Sequence, residues 1–274
     1  MVTGPLIDTA ELRDLLAAQQ PVTLLDVRYR MGSSTGPQEH AEAHLPGAAY
    51  VDLDADLAAP AGEGGRHPLP DPGVFAEAMC RAGVRLDRPV VVYDDWAAHA
   101  AGRAWWLLRF HGHSDVRVLD GGLAAWRDEG GELGRGPVHP QPGDFACSGR
   151  QGMPVVDAET VLDVTVLVDA RAAERFRGDV EPVDPVAGHI PGAVNVPTSR
   201  NLTADGRFRS PEELRATYAD VGAVDGADVA AYCGSGVTAT HDLLALEVAG
   251  VRAALYPGSW SGWITDPTRP VATG

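Results

Sequence analysis

The chain of 274 residues has only three cysteines, Cys80, Cys147 and Cys233, an odd and small number that excludes a disulfide framework. They read as free thiols in a reducing compartment. No run approaches about 18 apolar residues, and Met1-Val2-Thr3-Gly4-Pro5 carries no basic segment leading into an apolar stretch. The expectation is a soluble, cytoplasmic protein with no membrane partner. Positive charge is also scarce: 22 basic residues against 38 acidic ones leave a formal charge of −16, which would repel nucleic acid and anionic bilayers alike. An anionic substrate must then be met by local groups. No spacing of Cys, His, Asp and Glu suits a metal site, and no cofactor is expected.

What the sequence does have is an internal repeat. Leu24-Leu25-Asp26-Val27-Arg28, His44-Leu45-Pro46-Gly47-Ala48, Val90-Val91-Val92-Tyr93-Asp94 and Leu119-Asp120-Gly121-Gly122 leading to Trp126 form one series. A second series answers it in the same order: Leu167-Val168-Asp169-Ala170-Arg171, His189-Ile190-Pro191-Gly192-Ala193, Val229-Ala230-Ala231-Tyr232-Cys233 and Tyr256-Pro257-Gly258-Ser259 leading to Trp263. Two copies follow, with a first domain over 1–135, a Gly/Pro-rich linker over 136–154 and a second domain over 155–274.

Short apolar runs without alternation predict buried parallel strands at 22–26, 49–53, 89–93 and 116–119, then at 164–169, 193–196, 228–232 and 252–256. Helical patterns lie between them, over Ala10 to Ala18, Val74 to Ala82, His99 to Phe110, Pro211 to Tyr218 and Val237 to Ala249. The fold class is therefore α/β, two tandem domains, each a parallel sheet flanked by helices on both faces. Ligands in such sheets belong at the carboxyl ends of strands.

The repeat separates structure from chemistry. Residues kept in both copies, Asp26/Asp169, Arg28/Arg171 and His44/His189, read as structural ion pairs and turn anchors. Cys233 differs, because its counterpart is Asp94 and the loop after that residue is Asp95-Trp96-Ala97 rather than Gly234-Ser235-Gly236. Cys233 ends a strand, Gly234 and Gly236 free the backbone, and a helix starts at about Val237. Amides of residues 234 to 239, Val237 and Thr238 included, can then converge on the sulfur with a positive helix end behind them. That setting suits a thiolate or a bound oxyanion. Cys80 reads as a small buried hydrophobe, Cys147 as an accessible thiol without activation, and Trp105 and Trp106 as core or as an interface between the copies.

The two-copy layout, C-G-S-G-V-T-A at 233–239, H-I-P-G-A at 189–193 and Y-P-G-S-W-S-G-W at 256–263 resemble the tandem rhodanese sulfurtransferases over nearly the whole chain. The resemblance implies covalent catalysis. Cys233 takes the outer sulfur of a small-molecule donor as a persulfide, and cyanide, a thiol or thioredoxin removes it. A neutral Gly-Ser-Gly loop is similar to that of the 3-mercaptopyruvate members, in which Ser235 would work with His67 and Asp54 from the first copy as a proton relay. Their approach to Cys233 would require the copies to dock face to face. Arg175, six residues after the shared Asp where the first copy has Gly32, matches the family's substrate arginine and would bind the donor's anion. The second arginine expected before the G-H-I-P-G stretch is missing from Val180-Glu181-Pro182-Val183-Asp184-Pro185, which leaves Arg177, Arg207, Arg209 or a thiosulfate-preferring enzyme as alternatives. Cysteine phosphatases need an arginine six positions after the nucleophile, where this chain has Ala239. A noncatalytic sulfur carrier or partner-binding module is the other alternative.

Overall fold

Runs such as Val90-Val91-Val92-Tyr93 are β-branched and aromatic throughout, and a strand buried on both faces is where such a run fits best. The computed structural model describes residues 4–149 and 152–274, and its backbone divides into two units. Residues 1–3 of the predicted first domain and Arg150 and Gln151 of the predicted linker lie outside the described residues. Unit 1 comprises Met1–Ala58, Pro70–Met153 and Asp205–Arg207, and unit 2 comprises Ala59–Leu69, Pro154–Ala204 and Phe208–Gly274.

Unit 1 runs β1 (Leu6–Ile7), α1 (Thr9–Ala17), β2 (Thr23–Asp26), α2 (Gly36–Glu42), β3 (Ala49–Tyr50), α3 (Leu53–Asp56), α4 (Pro72–Arg81), β4 (Val90–Tyr93), α5 (His99–Phe110), β5 (Val116–Leu119) and α6 (Gly122–Asp128). Its five strands are all parallel, in the order β1-β5-β4-β2-β3. Unit 2 runs β6 (Val166–Asp169), α7 (Ala173–Arg177), β7 (Val194–Asn195), a 3-10 turn (Thr198–Asn201), α8 (Pro211–Ala219), β8 (Val229–Tyr232), α9 (Ala239–Val248), β9 (Ala254–Leu255) and α10 (Ser259–Trp263). Its four strands are parallel too, in the order β7-β6-β8-β9. Both units are parallel sheets flanked by helices.

All eight predicted strands are present, 116–119 over the same residues and the other seven in shorter form. Strand 49–53 stops at Tyr50 because Asp52 caps α3, its carboxylate accepting the N–H groups of Asp54 and Ala55. β1, α2, α3, α6, α7 and α10 were not predicted, each being too short to show a period. Helix α5, apolar nearly all round, is buried along its length, Trp105 and Trp106 included. α8 begins with a capping box between Ser210 and Glu213, with Pro211 at its first position. The described residues of 136–153 group with unit 1, where the Gly143 and Phe145 amides donate to the carbonyls of Cys80 and Val84 and the Phe145 ring meets Phe75 edge on. Cys80 and Cys147 are half-buried rather than core or open, and each thiol donates to a carbonyl, Cys80 to Phe145 and Cys147 to Pro72.

The repeated residues build the same clasp in each unit. Arg28 holds Asp26 at 2.6 Å and Arg171 holds Asp169 at 2.6 Å, and all four side chains are buried. Tyr93 donates to Asp26 and accepts the Leu45 amide, and Tyr232 accepts the Ile190 amide. The His44 and His189 rings meet the carbonyls of His40 and Phe176 at 2.7 Å, fixing the turns before Gly47 and Gly192. These residues shape the sheets' carboxyl ends.

A less balanced polar group lies inside unit 2. Asp242 on α9 is fully buried; Asn201 Nδ2 donates to its Oδ1 at 2.7 Å, while Oδ2 has no hydrogen-bond partner. Burial pushes its carboxyl well above the usual range, and burial likewise pushes the adjacent His241 down to about 3. Below pH 3.8 the Asp242 carboxyl is neutral in folded and unfolded chains alike. As pH rises past that value only the unfolded chain ionises, so the folded state loses stability relative to it. Asp242→Asn removes that linkage. The variant is expected to melt above wild type at pH 7 to 8 and to converge with it near pH 4, and a constant gap across a pH series of melting curves would contradict the assignment.

Candidate active site

Unit 2 delivers Cys233 to the carboxyl end of the central strand β8, and the chain then turns through Gly234-Ser235-Gly236-Val237-Thr238 into α9. The helix starts at Ala239 rather than Val237, leaving two more residues to the loop than the sequence pattern predicts. Gly236 has φ +77°, and a Cβ there would lie 2.5 Å from the Pro257 carbonyl oxygen. Only glycine fits both demands.

The floor of the loop is the segment Tyr256 to Trp263. Trp260 and Ser261 donate their N–H groups to the carbonyls of Cys233 and Gly234, each at 2.9 Å. Ser259, at a left-handed φ of 52°, accepts the Cys233 N–H on its hydroxyl and donates to the Tyr256 carbonyl. Two hydrogen bonds offset that strained backbone. Sequence reasoning missed Ser259, although a cue existed: the first copy has Gly122 at this position, with φ +56°.

Unit 1 shows what a turn of this shape does with an anion. Asp94, the counterpart of Cys233, accepts the backbone N–H groups of Trp96, Ala98, Ala100 and Ala101 on its two carboxylate oxygens, each at 2.9 Å. Ala97 and Ala98 take left-handed φ values of 53° and 62° to make the turn. A strand, a tight turn and a helix thus form an amide cradle that holds one negatively charged group. Cys233 stands at the equivalent strand end, 1% exposed.

His67 and Ser235 meet within unit 2, His67 Nδ1 lying 2.7 Å from Ser235 Oγ. The residues from Ala59 to Leu69 belong by their contacts to the second unit although they precede it by some 90 residues of sequence. Gly62 and Gly65 pair through both N–H groups, the Arg66 amide donates to Ser261 Oγ, and Thr265 Oγ1 donates to the Glu63 carbonyl. The segment carrying His67 is therefore fastened to α10, next to the floor of the cysteine loop. Asp54 stands on α3 of unit 1, exposed.

Arg175 reaches the loop as well. Its Nη1 and Nη2 lie 3.7 Å from the point where a Cβ on Gly234 would sit. Glu181 grips the guanidinium through Nε at 3.1 Å and Nη2 at 2.7 Å, and Asp184 approaches Nη2 at 3.3 Å. The sequence offered three substitutes for the missing second arginine, and all three are engaged elsewhere: Arg177 with Asp179, Arg207 with Glu129, Arg209 with Glu213 and the Arg200 carbonyl. The structure brings Arg66 instead, its Nη2 lying 2.8 Å from the Gly234 Cβ position. A side chain on Gly234 would collide with it.

A thiol in an amide turn, a hydroxyl bonded to an imidazole and two guanidiniums can together bind an anion, form a covalent bond to it and move a proton. Among the described residues no group of three or more His, Cys, Asp or Glu side chains is placed to hold a metal, and no helix is long and apolar enough to cross a membrane.

The chain is similar to known proteins along most of its length. The rhodanese-like domain family matches residues 8–129 and 156–266. A Mycobacterium tuberculosis protein named provisionally as a thiosulfate sulfurtransferase, SseB, is 46% identical over 275 residues, which cover 98% of this chain and 97% of that protein. The 3-mercaptopyruvate sulfurtransferase of Escherichia coli K12 is 37% identical over 243 residues, 85% of each chain. The solved 3-mercaptopyruvate sulfurtransferase from Leishmania major superimposes with a TM-score of 0.86 at 30% identity, covering 97% of this chain and 75% of that one.

Proposed function

The chain belongs to the rhodanese family, and from that premise we propose that it is a sulfurtransferase that carries sulfane sulfur from 3-mercaptopyruvate, or from thiosulfate, through a Cys233 persulfide. The observation that carries the reading is the hydrogen bond between His67 and Ser235 beside the Cys233 loop. A hydroxyl backed by an imidazole serves a donor that has a carbonyl to polarise and a leaving carbanion to protonate, and thiosulfate has neither.

In the first half-reaction the Cys233 thiolate attacks the donor sulfur. A sulfur–sulfur bond forms as the carbon–sulfur bond breaks, and the electron pair leaves on the enolate of pyruvate. Ser235 donates to that oxygen, with His67, bonded to its hydroxyl, supplying the proton. Arg175 holds the donor's carboxylate, and the amides of Gly234, Gly236, Val237 and Thr238 hold the outer sulfur of the persulfide. In the second half-reaction cyanide, a small thiol or thioredoxin attacks the outer sulfur and returns the Cys233 thiolate. The three free cysteines fit a reducing, cytoplasmic site of action.

The test is thiocyanate formation from cyanide, with 3-mercaptopyruvate and thiosulfate measured side by side. The expected result is turnover with a higher kcat/KM for 3-mercaptopyruvate. Ser235→Ala should reduce kcat with 3-mercaptopyruvate far more than with thiosulfate. If wild type forms no thiocyanate from either donor, catalysis of sulfur transfer is excluded and a carrier or partner-binding role takes its place.

A further inference from the structure

Three hydrogen bonds close a ring around the pair formed by Ser235 and His67. The Ser261 N–H donates to the Gly234 carbonyl at 2.9 Å, the Arg66 N–H donates to Ser261 Oγ at 3.1 Å, and His67 Nδ1 meets Ser235 Oγ at 2.7 Å. Gly234 adjoins Ser235 in the chain and Arg66 adjoins His67. Ser261, on α10, therefore binds the backbone neighbour of each member of the pair.

The internal repeat marks the same residue. Two positions before the tryptophan shared by the copies, the second copy has Ser261 and the first has Ala124, so the hydroxyl accompanies the thiol as Ser235 does. The approach of the segment is also specific. Gly65 lies at φ +100°, and a Cβ there would fall 2.8 Å from both the Gly258 carbonyl oxygen and Ser261 Oγ. Glycine at 65 lets the Arg66 amide reach its acceptor.

His67 needs such support because it stands on an irregular, glycine-rich stretch rather than on a helix or strand. Its bond to Ser235 ends on a hydroxyl that rotates about its own C–O bond, and one bond of that kind leaves an imidazole free to swing. Proton transfer tolerates little such freedom. The guanidinium of Arg66 has a separate anchor in Asp184, so removing the Ser261 hydroxyl frees the backbone ahead of His67 and leaves the charged end of Arg66 held.

We propose that Ser261 is a positioning residue: through its N–H and its Oγ it sets the register between the cysteine loop and the segment carrying His67, and so keeps the Ser235–His67 pair bonded. For its effect on turnover this rests on the sulfurtransferase reading above, which it deepens by naming what aligns the proton relay.

Two readouts test it. In the cyanide assay, Ser261→Ala should lower kcat with 3-mercaptopyruvate about 10-fold, roughly one hydrogen bond, and kcat with thiosulfate less than about twofold, because thiosulfate has no carbonyl for the pair to serve. Made in His67→Ala, the same change should alter kcat less than about twofold with either donor, since no imidazole is left to place. The other readout needs no turnover: in ¹⁵N spectra of the imidazoles, the His67 Nδ1 resonance should move in Ser261→Ala in the direction it moves in Ser235→Ala. Equal losses with the two donors, factors that multiply in the double variant, or an Nδ1 resonance unmoved by Ser261→Ala would each overturn the proposal. If wild type forms no thiocyanate from either donor while the Nδ1 resonance still responds to Ser261→Ala, the sulfurtransferase reading fails and the positioning of His67 stands, so the two failures are distinguishable.

Discussion

Cys233→Ser is expected to lower sulfur transfer by about 10⁴-fold or more, to the background of the assay, while unit 2 stays folded. The substitution changes one buried atom for another of similar size. The two backbone bonds of Cys233 itself bypass the sulfur: its N–H goes to Ser259 Oγ and its carbonyl accepts from Trp260. What is lost is a polarisable nucleophile that can carry a second sulfur. A serine hydroxyl in the same place has neither the acidity nor the affinity for sulfur to form the intermediate. Wild type treated with donor alone should gain one sulfur atom by intact mass, and Cys233→Ser should gain none. Residual turnover above about 1% in a variant that melts with wild type would place the reaction at another thiol, and Cys147, whose thiol is pushed up by burial and by Asp71, is poorly suited to it.

The largest loss of stability is expected at Arg171. Its guanidinium is 1% exposed, holds Asp169 through Nε and Nη2, donates to the Gly188 carbonyl at 2.7 Å and stacks over Trp260 at 4.8 Å. Arg171→Met keeps much of the volume but leaves the Asp169 carboxylate buried with no cation. Breaking a buried pair from one side costs about 3–5 kcal/mol, because the remaining charge keeps its desolvation penalty. Urea unfolding monitored by tryptophan fluorescence measures it, and a loss below about 1 kcal/mol would mean that Asp169 is protonated or hydrated in the variant. The double change Arg171→Met/Asp169→Leu should recover much of the loss, since two apolar groups of matched volume replace a pair that contributes little net energy.

Much of the fold was legible because the chain repeats itself. Two series of Asp-x-Arg, His-x-Pro-Gly and strand-end motifs gave the parallel strands of each unit, and the difference between Asp94 and Cys233 is what makes Cys233 the candidate for chemistry. What escaped prediction has identifiable physical reasons. β1 is two residues long and carries no period. Ser259 acts through its hydroxyl on a backbone amide 26 residues away, a contact no local pattern encodes. The approach of Arg66 to Gly234 escaped because it depends on contacts, distant in sequence, that place the Gly-rich stretch 59–69 with unit 2. His67, from the same stretch, was found only through the resemblance.

The filled cradle of unit 1 fixes a stoichiometry. The fold builds two turns of one design, yet Asp94 is a tethered anion that already engages four amides of its own turn. A soluble ion cannot outcompete a group held there by its own backbone at so high an effective concentration. On the proposed persulfide route the turn of unit 1 therefore adds no second place for sulfur or for a donor-like anion, and intact mass should show one added sulfur per chain.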